Sequence, residues 1–374
     1  MSFVERPDLA ARALGGSVVD ANDELFAARD NLLNPEPSTF ESWTFGPKGK
    51  VYDGWETRRR RTPGHDYAVV RLGAAGVVRG IVVDTAHFTG NYPPAASVEG
   101  CGVEGYPSPP ELAGADWFTL VPESPLAGDT RNLFEVAAAR RCTHVRLSIY
   151  PDGGVARLRA HGDVIPDPRF LTRGCDLAAL EHGGLIVDCS DRFYGSPNNL
   201  ISPGNARIMG EGWETARRRD DGNDWVVVRL AAPGTIAFAE LDSSHFKGNA
   251  PAAATLRGID ARTADVKDES AWVPLLEHTR LQPDTRHRFI LEPNSQTVTH
   301  VRLDIFPDGG MARLRLLGRP ELDELTRRWF ASLPKTQAQV VLANAGIPPT
   351  DQADQQVARL IASMYRADVA ERRA

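Results

Sequence analysis

Two short patterns occur twice in the chain and bring together groups able to move a proton or hold a small anion. One is Gly-Trp-Glu-Thr followed by arginines, GWETRRRR at 54–61 and GWETARRR at 212–219. The other is D-(T/S)-x-H-F-x-G-N, at 84–91 and again at 242–249. In the first copy they supply Glu56, Arg59, Arg60, Asp84, His87 and Asn91; in the second, Glu214, Arg217, Arg218, Asp242, His245 and Asn249. Fixed guanidinium groups recognise carboxylates through paired hydrogen bonds, so the arginines suit a small anionic ligand. Histidine donates or accepts a proton near neutrality, and Glu56 or Asp84 can hold the imidazole in one tautomer. Each pattern has a plainer alternative. The arginines can pair with carboxylates of their own domain or stay solvated, and each histidine can brace its turn by bonding backbone. Arg58 is the incidental member of its run, because Ala216 stands in its place in the second copy.

The duplication extends well beyond these patterns. DYAVVRL at 66–72 returns as DWVVVRL at 224–230, and THVRLSIYPDGGVARLRAHG at 143–162 returns as THVRLDIFPDGGMARLRLLG at 299–318. Upstream, VVDANDELFAARDNLL at 18–33 is echoed by IVDCSDRFYGSPNNLI at 186–201. The order is kept throughout, which is the signature of one domain copied in tandem. The strand THVRL adds Arg146 and Arg302 as further anion-binding candidates, with His144 and His300 equally able to be structural.

The elements that must position these residues are strands. YAVVRL, GIVVDTAHF, THVRLSIY and VARLRAHG are short β-branched or alternating runs bounded by Gly, Pro, Asp and Asn. In HVRLSIY, Val145, Leu147 and Ile149 share one face, with Arg146 and Ser148 on the other. Seven or more such strands per copy predict an all-β protein of two tandem antiparallel β-sandwich domains of jelly-roll type, a closed β-barrel being the alternative. The expected boundaries are 1–170 and 171–320, followed by a helical extension at 321–374. In that extension Val357, Leu360, Ile361 and Met364 fall at helical spacing and predict a packing role.

Composition narrows the function class. At 374 residues and 42% hydrophobic, the chain can bury a sizeable core. The net charge of −6 argues against a nucleic-acid or membrane-surface binder, and no apolar run approaches a membrane span. A cytoplasmic homo-oligomer is expected. Cys101, Cys142, Cys175 and Cys189 form no CxxC pair, and three of them face Ile259, Val298 and Ala21 in the other copy, which marks them as small buried thiols. No HxH or HExxH spacing supports a divalent metal, and none is required, although His, Asp and Glu are chemically suited to one. There is no nucleophile elbow, phosphate loop or dinucleotide fingerprint.

The paired GWETxRRR, DTAHFTGN and DSSHFKGN segments and the paired THVRLxI(Y/F)PDGGxARLR strands resemble the allantoicase family over roughly residues 14–320. Beyond Gly318 the resemblance lapses. The order Asp-Gly-Trp-Glu-Thr, DWVVVRL, VRL and ARLR is also similar to discoidin or galactose-binding-like jelly rolls. The resemblance implies hydrolysis of allantoate to (S)-ureidoglycolate and urea in purine degradation. It implies His87 or Glu56, with His245 and Glu214 in the second copy, as the acid that protonates departing urea and the base that activates water. Arginine then clamps the substrate carboxylate, while Asp84, Asn91 and their counterparts bond the ureido groups. Two alternatives stay open at this point: a non-catalytic tandem binding module, and a hydrolase acting on ureidoglycolate itself.

Overall fold

One nineteen-residue strand organises each half of the computed structural model, which describes residues 2–47, 49–291, 296–348, 350 and 352–371. In the first half the strands are β1 (Ser17–Ala21), β2 (Asp66–Asp84), β3 (Ala95–Cys101), β4 (Phe118–Pro125), β5 (Arg131–Glu135), β6 (Arg141–Tyr150) and β7 (Arg157–Val164). The long strand β2 takes part in two sheets. Its first half pairs with β1 and β6, continuing through β3 to β4, while its second half pairs with β5 and β7. All of these ladders are antiparallel.

The switch falls where the β2–β6 register breaks, between Arg71 and Gly76. A Cβ on Gly76 would lie 2.1 Å from the Asp163 carbonyl oxygen, so the strand can pass from one sheet to the other only with glycine there. The two inner faces close over Val70, Ile81, Val83, Val98, Leu147 and Leu158, all essentially inaccessible to solvent. This is the expected sandwich of jelly-roll type, with Val145, Leu147 and Ile149 buried on one face of β6, while on the other face Arg146 is half-buried and Ser148 buried.

The second half repeats the plan with β8 (Leu185–Cys189), β9 (Asp224–Asp242), β10 (Ala253–Ile259), β11 (Val273–Arg280), β12 (Arg286–Ile290), β13 (Val298–Phe306) and β14 (Arg313–Pro320). Here β9 carries β8 and β13 on one half and β12 and β14 on the other. Helices follow at Leu322–Ser332, Lys335–Asn344 and Ala353–Glu371. Val357, Leu360, Ile361 and Met364 are buried, as their spacing predicts. The chain divides into two compact units. The first runs to Ile165 and includes Phe330–Asn344; the second comprises Pro166–Trp329 and the residues from Ala345 onward.

The four cysteines are unpaired, and burial pushes the thiols of Cys101, Cys142 and Cys175 up to about 12. Among the described residues, no helix is long and apolar enough to cross a membrane.

Candidate functional site

The PDGG turn at the end of β6 builds the site. Its Gly154 and Val155 form a two-residue ladder with Glu56 and Trp55. Gly153 exchanges hydrogen bonds with Thr57: the Thr57 N–H donates to the Gly153 carbonyl at 3.1 Å, and the Gly153 N–H donates to Thr57 Oγ1 at 3.2 Å. The Gly154 N–H donates to the Asn91 carbonyl at 2.8 Å. Gly153 has φ 143°, and a Cβ there would sit 2.8 Å from the Asn91 carbonyl oxygen, so glycine lets two loops meet at one turn. Beneath it the fully buried Trp55 donates its indole N–H to the Asp23 carbonyl at 2.8 Å and anchors the Glu56 backbone.

These bonds place two side chains from distant segments in contact. Asn91 Nδ2 donates to Glu56 Oε1 at 2.7 Å. Burial raises the Glu56 carboxyl above its ordinary range, and the Asn91 hydrogen bond offsets part of that rise. Around the pair lies a cavity of about 440 Å³, with Phe26, Lys50, Tyr52, Thr89 and Gly90 on its walls.

The second copy reproduces the construction. Gly310 pairs with Glu214, Gly309 exchanges bonds with Thr215 at 3.0 Å each way, and Gly310 N–H donates to the Asn249 carbonyl at 2.8 Å. Asn249 Nδ2 donates to Glu214 Oε1 at 2.6 Å, beside a cavity of about 480 Å³ lined by Tyr194, Arg217, Arg218 and Asp308.

Several residues expected at the site lie elsewhere or have other partners. His87 and His245 occupy left-handed backbone, φ 68° and 73°, with their N–H groups bound to Asp129 and Asp284 at 2.8 Å. Their Nε2 atoms bond the carbonyls of Ser38 and Ala206 at 2.9 and 3.0 Å, and neither residue is in the lining of these two cavities. The geometry is that of a turn brace. Asp84 and Asp242 accept from the N–H groups of Ala86 and Ser244 and likewise stand off the cavities. Arg146 pairs with Glu99 and stacks over Trp117 on the outer sheet face, and Arg302 pairs with Asp304 and Glu269 over Trp225.

The arginine run divides three ways. Arg58 pairs with Asp23. Arg60 is held by the buried Asp66 at 2.5 Å, as Arg218 is by Asp224 at 2.8 Å, although Arg218 also borders its cavity. Arg59 and Arg217 are exposed and have no ion-pair partner among the described residues; Arg217 lines the second cavity, whereas Arg59 lies outside the first cavity's lining. Arg157 and Arg313, retained in both copies, are buried loop clamps: Arg157 donates to the carbonyls of Glu36 and Asp53, and Arg313 to those of Gly204 and Glu211.

Sequence comparison of the copies missed Lys50 and Tyr52. Twenty residues separate Leu33 from Gly54, but only ten separate Ile201 from Gly212, so this stretch has no full counterpart. Phe26 and Tyr194 were within reach, as aligned aromatics in otherwise polar segments. Among the described residues, no group of three or more His, Cys, Asp or Glu is placed to hold a metal ion.

A family model described as "Allantoicase repeat" matches residues 7–165 and 175–321. The probable allantoicase of Nocardia farcinica is 58% identical over 319 residues, covering 84% of this chain and 95% of the relative. That of Streptomyces coelicolor is 51% identical, covering 85% of this chain and 86% of the relative. Among solved structures, the crystal structure of allantoicase from Saccharomyces cerevisiae is 34% identical with a TM-score of 0.70, covering 83% of this chain and 92% of that one.

Proposed function

The chain belongs to the allantoicase family, and we propose that its reaction takes place at the Glu56–Asn91 and Glu214–Asn249 pairs. The chain is a hydrolase acting on C–N bonds in linear amidines that converts allantoate to ureidoglycolate and urea in purine degradation. The observation that carries the site assignment is the carboxylate–carboxamide contact, built by the same PDGG turn in both copies and open to a cavity in each.

Allantoate carries one carboxylate and two ureido groups on a single carbon. Release of intact urea requires that the bond between that carbon and one ureido nitrogen break, with the electron pair leaving on nitrogen. As an anion, urea leaves poorly, so the nitrogen takes a proton as the bond opens. The Glu56 carboxyl, kept protonated to higher pH by burial, is the group able to supply it. Water then bonds to the central carbon and returns a proton to the Glu56 carboxylate, which balances the step and restores the acid. Asn91 holds Oε1, leaving Oε2 for the transfer, and its own carboxamide oxygen is available to a ureido N–H. Glu214 and Asn249 offer the same groups, with Arg217 on the cavity wall to meet the substrate carboxylate.

His87 and His245 act in this scheme as positioning residues, tying the loops that precede GWET to the end of the sandwich. The test is turnover in ¹⁸O-water. Label in the new hydroxyl of ureidoglycolate, with none in urea, agrees with cleavage at the central carbon; label in urea overturns it.

A further inference from the structure

We propose that Lys50 is the carboxylate-binding residue of the first pocket and that Tyr52 is its ureido-contacting neighbour, both carried by a stretch that is ten residues longer in the first copy than in the second. This rests on the reading of the Glu56–Asn91 pocket as a substrate site. The extra length lies between Leu33 and Gly54 and includes a small hairpin, Phe45–Gly46 paired with Gly49–Lys50.

The loop is fastened along its length. Ser38 Oγ donates to the Asp53 carbonyl at 2.6 Å, the Thr39 N–H donates to Asp53 Oδ2 at 3.0 Å, and Arg157 holds both Glu36 and Asp53. Its aromatic rings stack in series onto the sandwich: Phe40 on Tyr52 at 5.0 Å, and Tyr52 on the fully buried Phe88 at 4.9 Å. In the second copy Phe246 occupies the place of Phe88 but packs against Ala206, Ala250 and Ala312, with no ring stacked on it among the described residues.

Fastening the loop in this way has a chemical result. Lys50 and Tyr52 share the cavity wall with Glu56 and Asn91. Lys50 has no carboxylate partner among the described residues; its ammonium lies 5.8 Å from the Phe40 ring centroid, and Glu56 is the one acidic residue that shares the cavity lining with it. The Tyr52 ring is held by stacking on both sides, and its hydroxyl has no partner among the described residues. An anionic ureido compound supplies what both lack: a carboxylate for the ammonium, and a carbonyl oxygen for the phenol. The matching arginine, Arg59, lies outside this cavity's lining, so the first pocket meets its anion with an ammonium and the second with the guanidinium of Arg217.

The experiment is steady-state urea release by full-length Lys50→Met and Lys50→Arg proteins, at low and at moderate ionic strength. Lys50 is exposed, so the fold tolerates both changes. The expected result for Lys50→Met is a KM component raised tenfold or more with kcat within about threefold, recovery in Lys50→Arg, and loss of the salt dependence of that component. A Lys50→Met protein with the wild-type KM and salt dependence overturns the proposal. Turnover that survives replacement of both Glu56 and Glu214 sinks the underlying site reading instead, so the two failures are distinguishable.

Discussion

Asn91 Nδ2 donates to Glu56 Oε1 at 2.7 Å, and Asn249 donates to Glu214 at 2.6 Å, the same contact made twice in one chain. The two members of each pair come from different loops, so the contact depends on the PDGG turn that holds both backbones. A bond of this kind favours the charged carboxylate and opposes the rise that burial imposes on Glu56. Asn91→Ala removes it and raises Glu56 further. If Glu56 must be protonated to release urea, the alkaline limb of kcat/KM against pH moves upward in the variant, because the bond that favoured the charged carboxylate is gone. A pH profile of the variant checks the sign, and a downward shift would contradict it.

Arg60 and Asp66 call for a different expectation, one of stability. Asp66 is 1% exposed, its Oδ1 receives Arg60 and Asn22, and its Oδ2 has no hydrogen-bond partner among the described residues. Arg60→Ala leaves a buried carboxylate short of its cation, which costs about 3 kcal/mol. Urea denaturation reads this as a lower midpoint. The double variant Arg60→Ala, Asp66→Asn recovers part of the loss, because the uncompensated charge is gone.

His144 sets part of the acid stability. It is 2% exposed, and burial, with a smaller contribution from Arg71, lowers its imidazole to about 4. An unfolded chain takes up that proton near 6.5, while the folded chain resists it until about 4. The contribution is therefore complete above pH 6.5 and is lost as pH falls from 6.5 to 4, by about 3 kcal/mol in all. His144→Gln should flatten the stability profile across that window; an unchanged slope would count against the assignment.

Much of this architecture was legible in the sequence. Period-two alternation marked the strands, and the tandem duplication separated retained polar residues from incidental ones such as Arg58. Glu56 and Asn91 were both visible by that route. Their contact was not, because it is made through a turn far along the chain at Asp152–Gly154. Retention in both copies also could not distinguish a ligand-facing residue from a structural one. His87, Arg60 and Arg157 are all retained, and each is consumed by the fold: the first by a carbonyl, the second by a buried carboxylate, the third by a loop backbone. Lys50 and Tyr52 were not revealed this way, since the stretch that carries them is ten residues longer in the first copy than in the second and its residues are not retained there.

Transfer of the proton to departing urea by Glu56, and by Glu214 in the second copy, is the step proposed for these carboxyls. It is read out by urea release from allantoate by the full-length Glu56→Gln, Glu214→Gln protein. Folding is expected to survive, since burial disfavours the charged form of Glu56 and glutamine keeps the side chain's shape and an oxygen able to accept from Asn91 without a charge. The predicted result is a thermal midpoint no lower than wild type together with a ~10²- to 10⁴-fold fall in kcat. A folded double variant that releases urea within about threefold of the wild-type rate would contradict the claim.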